Sequence, residues 1–317
     1  MKLTKFAKYA WFTLAYNMIV VIWGVFLRAS KSGDGCGQYW LTCHGEVVPS
    51  APELKTVIEF SHRIMSGIDF FVVLILVIWT FRKFEKSQQI RKFAFVSFVF
   101  IITEALIGAG LVLTGNTALA LTDARPFWAI GHLINTFILL GALSLTAWTA
   151  SGGGKLRFAG YKKELALMIA AAAGMLLIGT SGSLAALSSM LFPVETLAEG
   201  IRQDFSDASH ILLRLRISHP ILSVMIGVFL VFLAGWISRK KPENKWLRTF
   251  AKAHSALVVF QLMFGAATLF MLAPIVMQLG HLFLADSIWI TFILMCACYL
   301  GADPDEEPGE KNQSEIT

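Results

Sequence analysis

A carboxylate and an imidazole stand three residues apart in Glu59-Phe60-Ser61-His62-Arg63, at the head of a largely apolar run. Residues three apart share a helix face, so Glu59 and His62 are expected to look into the same space. From Phe70 to Trp79 the run carries no charge and, with its start, is long enough to cross a bilayer. Ionisable groups near one end of such a span usually face a bundle interior, where they bind, relay protons or do chemistry. A plainer reading, that Glu59 caps the first turn of its own helix, stays open.

The pair recurs. Glu104-Ala105-Leu106-Ile107-Gly108-Ala109 aligns with Gln261-Leu262-Met263-Phe264-Gly265-Ala266 at an offset of 157 residues, and the same offset sets Ser61-His62 on Ser218-His219. Gly131-His132-Leu133 likewise matches Gly280-His281-Leu282 at a shorter offset. Each half then has one histidine on its second apolar span and one on its fourth. Imidazoles from facing helices of a four-helix bundle can hold the iron of a planar macrocycle from both sides, with apolar walls burying the ring. This implies one porphyrin site per half, His62 with His132 and His219 with His281. No Cys/His spacing of a closed zinc site accompanies them. At the offset of 157 Glu59 falls on Arg216, a cation suited to a heme propionate. The difference suggests an active half and an electron-transferring or structural half. Glu104 faces the neutral Gln261 in the alignment, and a hydrogen-bonded acid and a proton path both remain open for it. His44, His210 and His254 have no repeat partner and read as solvent or interface residues.

The elements that must position these groups follow from composition. With 317 residues, 56% of them apolar and 15% charged, and a mean hydropathy of +0.65, the chain lies outside the soluble range. Apolar windows at 10–28, 59–81, 93–114, 126–149, 164–183, 211–237, 253–273 and 278–300 predict an all-α polytopic membrane protein. Its eight transmembrane helices would form two pseudo-symmetric four-helix bundles, 1–150 and 151–302, meeting at Ser151-Gly152-Gly153-Gly154. Residues 303–317 read as a disordered cytoplasmic tail. The net charge of +6 lies in clusters between spans, which fits orientation signals and excludes nucleic acid as the partner. These clusters place both termini in the cytoplasm and the histidines toward the outer face. The first span follows Lys2, Lys5 and Lys8 without a small-residue cleavage site and is read as retained. Cys36 and Cys43 share the first outer loop, on the oxidising side where a disulfide persists, as a structural staple or a redox pair. Cys296 and Cys298 sit among apolar residues of the eighth span and read as packing residues.

Together these residues resemble the heme A synthase family. The likeness rests on Glu59 three before His62-Arg63, on Cys36 and Cys43 around Trp40, on Arg28 after Gly24, and on eight spans with four histidines. Its specific motifs lie in residues 24–63. The resemblance implies an oxidoreductase of the cell (plasma) membrane that converts a methyl substituent of heme O to the formyl group of heme A through hydroxylated intermediates. It implies a substrate-heme site formed by His62, His132, Arg63 and Arg28, with Glu59 as the catalytic carboxylate. Heme b would be held by His219 and His281 with Arg216 beside it. A heme O synthase would supply the substrate and a terminal oxidase would receive the product, while the electron acceptor is not named. Three departures stand out: the second outer loop has no cysteine pair, Pro220 follows His219, and Glu104 stands where the family more usually has glutamine. Two rival classes use the same ligands, a di-heme cytochrome carrying electrons from quinol and a heme transporter or assembly factor. The asymmetry of Glu59 against Arg216 favours the synthase over the first, and the lack of a Gly/Pro break at mid-span disfavours the second.

Overall fold

Local chemistry starts several of the helices. Thr4 accepts the Ala7 N–H at 3.1 Å and opens the first helix, and Asn244 accepts the Leu247 N–H at 3.0 Å ahead of another, both side chains satisfying N–H groups that a helix start leaves free. The computed structural model describes residues 3–302, so the tail expected at 303–317 lies outside the described residues. The helices are α1 (Lys5–Ala29), α2 (Leu54–Lys83), α3 (Gln89–Leu113), α4 (Arg125–Ala150), α5 (Lys162–Leu191), α6 (Leu197–Asp204), α7 (Ile211–Arg216), α8 (Ser218–Lys240), α9 (Lys245–Phe270) and α10 (Ile275–Leu300). Eight spans are long and apolar enough to cross a membrane, with α7 and α8 together forming one, Ile211–Lys240. The chain is therefore an all-helical, multi-pass membrane protein.

Two features depart from the windows. The helices overrun their apolar cores, α2 by starting at Leu54 and α5 by reaching Leu191, because backbone hydrogen bonding continues where hydropathy has already fallen. The span that carries His219 is interrupted at Ile217. Pro220 offers no N–H to the Arg216 carbonyl and its ring crowds that group, which accounts for the break two residues before the histidine.

Within residues 5–150, α1 packs on α2 and α4, α2 on α3, and α3 on α4; beyond them α5 packs on α8, α8 on α9, and α9 on α10. The two sets meet where α4 touches α5 and α10, and where α1 touches α10. In α4 and α10 just over half of the apolar window is buried, 56% each, against 11–28% in the other spans, so these two are the inner helices and the rest face lipid. Trp289 on α10 donates its indole N–H to the Phe137 carbonyl on α4 at 2.6 Å, and the two rings stack 5.2 Å apart. Lipid is as apolar as the helices, so close packing rather than water exclusion holds them together. At Gly174 of α5 an added Cβ would come within 3.1 Å of Ile226 on α8, which marks how closely those backbones approach.

Candidate functional site

The loop between α1 and α2 is built around a disulfide. Cys36 and Cys43 are bonded and fully buried, and the His44 ring contacts the Gly35 carbonyl at 2.9 Å. Glu59 fastens this loop to α2: its Oε2 accepts the Cys36 backbone N–H at 2.9 Å and its Oε1 pairs with Arg63 Nη2 at 2.5 Å. Arg63 in turn donates from Nη1 to the carbonyls of Tyr39 and Thr42 at 2.7 and 2.8 Å. Glu59 is 2% exposed and lies beyond the first turn of α2, where it caps no N–H of its own helix. The helix-cap reading is thereby corrected, since its donors come from the loop and from Arg63. The expected shared space with His62 is filled differently too, because one Glu59 oxygen turns to the loop and the other to Arg63 on the same helix. Arg63, expected at the substrate heme, has both Nη groups committed to Glu59 and the loop.

His62 lies against α1 at Gly24, where an added Cβ would stand 3.0 Å from the ring Cε1. Its Nδ1 is buried without a hydrogen-bond partner. His132 Nδ1 lies 3.2 Å from Glu104 Oε1, an ion-pair contact without hydrogen-bond alignment. Glu104 is already taken by α4: Asn135 Nδ2 donates to one oxygen at 2.5 Å and Thr136 Oγ1 to the other at 2.6 Å. Glu104 is thus an acceptor in an α3–α4 network that ends on a histidine. Arg28, in the last turn of α1, has Arg125 as its charged neighbour, and Arg125 is buried with its guanidinium donating to the Ala118 and Ala120 carbonyls. Two like charges held together in this way suit an anionic ligand.

In the second set of helices the imidazoles face each other. The rings of His219 on α8 and His281 on α10 have centroids 6.1 Å apart and cross at 79°. Two imidazoles bonded at about 2 Å to opposite sides of one iron place their ring centroids roughly 6 Å apart. Glycines again make room: a Cβ at Gly182 would stand 2.8 Å from His219 Cε1 and one at Gly265 3.0 Å from His281 Cε1. Gln261 donates to the His281 carbonyl at 2.9 Å. Its counterpart Glu104 instead meets an imidazole ring, and at Gly108, the counterpart of Gly265, an added Cβ would meet nothing within 4 Å. Glutamate for glutamine thus accompanies a different place for the fourth-span histidine. Arg216, expected beside a propionate, pairs with Asp204 at 2.6 Å and reaches the Gly200 carbonyl at 3.3 Å, which ties α6 to the head of α8.

The residues present fit a histidine-ligated heme, on the 6.1 Å ring spacing, the glycine cradles and the unpartnered Nδ1 atoms of His62 and His281. Of the remaining histidines, His44 and His210 bond to their own loops and are exposed, whereas His254 is fully buried between α9 and α10. Sequence reasoning passed over Arg125, although a cation opening a helix opposes the helix dipole and is a usable signal. It also passed over the buried Asn17, Asp69 and Asp286.

A family model described as cytochrome oxidase assembly protein (COX15-CtaA) matches residues 7–293. The chain is 39% identical over 297 residues to a Thermus thermophilus protein named protoheme IX farnesyltransferase, covering 94% of this chain and 49% of that protein. It is 39% identical over 138 residues to the heme A synthase of an Exiguobacterium species, covering 43% of this chain and 46% of the other. To the heme A synthase of Geobacillus kaustophilus it is 34% identical over 182 residues, 55% and 57% of the two chains. The chain spans about half the length of the curated relatives it matches. With a family match that runs through the four histidines and both outer loops, the chain belongs to the cytochrome oxidase assembly protein family.

Proposed function

We propose that this protein is a heme A synthase, an oxidoreductase that takes heme O as substrate and converts one ring methyl to a formyl group through hydroxylated intermediates. The observation that carries the reading is the inequality of the two histidine pairs. His219 and His281 face each other and would hold a resident heme b, while His132 stands against a carboxylate, as a site that must handle protons requires. Residues 1–150 then form the substrate half and 151–302 the heme b half, in the cell membrane with both termini cytoplasmic and both sites toward the outer face. Bound heme supplies the redox chemistry and the electron path.

The chain's own residues do the rest. Arg28, with the charge of Arg125 beside it, would hold a propionate of the substrate and so orient the ring. Glu59 acts one turn from His62: paired to Arg63 it holds the disulfide loop as a roof, and its carboxylate is the group of this chain closest in sequence to His62 that could answer positive charge developing there. The cystine serves that roof as a staple. Glu104 is an acceptor within reach of His132, held by Asn135 and Thr136. The name of the Thermus thermophilus relative supports a prenyl-transfer enzyme as the source of heme O, with a terminal oxidase as recipient of the product.

Pyridine-hemochrome and mass analysis of heme from a host that makes heme O but no heme A tests this directly. Formyl or hydroxymethyl heme appearing only with this protein is the expected result. Heme b alone, with heme O available and the protein folded, would instead make it a di-heme cytochrome.

A further inference from the structure

Seven residues deeper than the His62–Gly24 contact, the same two helices meet again. Asp69 follows His62 by seven residues on α2, and Asn17 precedes Gly24 by seven on α1, so both lie about 10 Å further into the membrane on the same helix faces. The Asn17 amide donates to Asp69 Oδ2 at 2.5 Å. Both residues are buried, at 2% and 1% exposure, and Asn17 Oδ1 and Asp69 Oδ1 have no partner. No cation pairs with Asp69 among the described residues. In such surroundings an unpaired carboxylate is the costly form.

Hydroxyl groups bond to the α2 backbone between this acid and the histidine in sequence. Ser66, three residues before Asp69 and four after His62, donates to the His62 carbonyl at 2.8 Å, and the Tyr16 hydroxyl reaches the Met65 carbonyl at 3.3 Å. The titratable groups toward Asp69 are Tyr16 and, deeper, Tyr9 from α1, and Glu104 from α3. The other half lacks the acid. Ser66 has its counterpart in Ser223, but Asp69 falls on Ile226, and Asn17, aligned through Gly24 and Gly182, falls on Met175. The clasp between the first two helices is thus polar in one half and apolar in the other.

We propose that Asp69, held by Asn17, is a redox-linked proton station of the first half, losing its proton when an electron leaves the His62/His132 site and regaining it when one returns. This rests on the heme A synthase reading. The step is a proton transfer alone: one O–H bond of Asp69 breaks as the site gains positive charge, the proton goes to bulk water away from the site, and the electron goes to the acceptor that oxidises the site. Asp69 touches no heme ligand and acts through charge, while the heme b half, which only passes electrons, has no use for such a group.

The test is a potentiometric titration of the heme-loaded protein across pH, with reduced-minus-oxidised infrared difference spectra. In the wild type the midpoint potential of the first-half heme should move with pH, and a protonated-carboxyl C=O band should appear that shifts in D2O. Asp69→Asn keeps an amide contact to Asn17 and should lose both signals, and Asp69→Glu should restore them. The heme held by His219 and His281 should be unchanged throughout. Asp69→Ile with Asn17→Met copies the apolar pair of the other half and serves as a second, packed variant. Formyl heme production should slow roughly a hundredfold in the Asn and Ile variants. A pH-dependent potential and an unchanged carboxyl band in Asp69→Asn would overturn the proposal and leave the pair a structural clasp. Absence of oxidised heme O from the wild type would sink the synthase reading instead, while the potential and infrared comparisons, which need only a heme held by His62 and His132, would still decide Asp69.

Discussion

The loop before α2 and the loop before α8 are fastened to the same place on their helices by opposite charges. In the first, the residue three before the histidine is an acid, and Glu59 takes an N–H from the loop and a guanidinium from Arg63. In the second it is a cation, and Arg216 takes a carboxylate from Asp204 and a carbonyl from Gly200. The serines beside the histidines even make the same local bond, Ser61 to the Ile58 carbonyl at 2.9 Å and Ser218 to the Leu215 carbonyl at 2.6 Å. The mechanical link from loop to histidine helix is therefore common to both halves, while the sign of the helix-borne charge is not. Fastening a loop needs a charge pair of either polarity, and a reaction needs one polarity in particular.

The comparison breaks most visibly at the ligands. His281→Ala should empty the heme b site and leave His62 and His132 in place, so a purified variant that retains its full heme b spectrum would dissolve the pairing. Glu59→Ala should abolish formyl formation with the heme b spectrum intact, and should cost about 3 kcal/mol because it leaves Arg63 and the Cys36 N–H unpaired. Glu59→Gln sharpens the point, since it can still accept from Cys36; full heme A output from Glu59→Gln would reduce Glu59 to a clamp. Cys36→Ser should lower stability by about 2 kcal/mol, read as a fall in Tm, because it opens a short loop without touching a histidine. Asp204→Ala should do least, about 1 kcal/mol, with heme b retained but exchanging faster with added apomyoglobin.

Eight spans were legible because twenty-residue apolar runs have few alternatives in lipid. The four histidines were legible because a repeat makes each vouch for another. What stayed hidden depends on side-chain direction, which spacing does not contain. Glu59 and His62 share a helix face, yet the Glu59 carboxylate is drawn to a loop whose path only the fold sets. Arg216 carried the right charge for a propionate, but α6, unannounced by any apolar window, supplied Asp204 first. Asp69 was overlooked because one acid barely lowers the hydropathy of a thirty-residue helix, although its seven-residue spacing from His62 was there to read. The Ile217 interruption, by contrast, follows directly from Pro220 and could have been placed in advance.

The inner position of α4 and α10 also bears on how the protein is made. One histidine of each site rides on these helices, and α4 enters the membrane well before the helix that covers it. Until α10 arrives, the Phe137 carbonyl has no Trp289 indole and the His219 ring has no opposing imidazole. On the proposed function, the His62/His132 site is complete on a half-inserted chain, whereas the His219/His281 site exists only once α10 is in place, which would set an order of loading in time as well as a geometry in space.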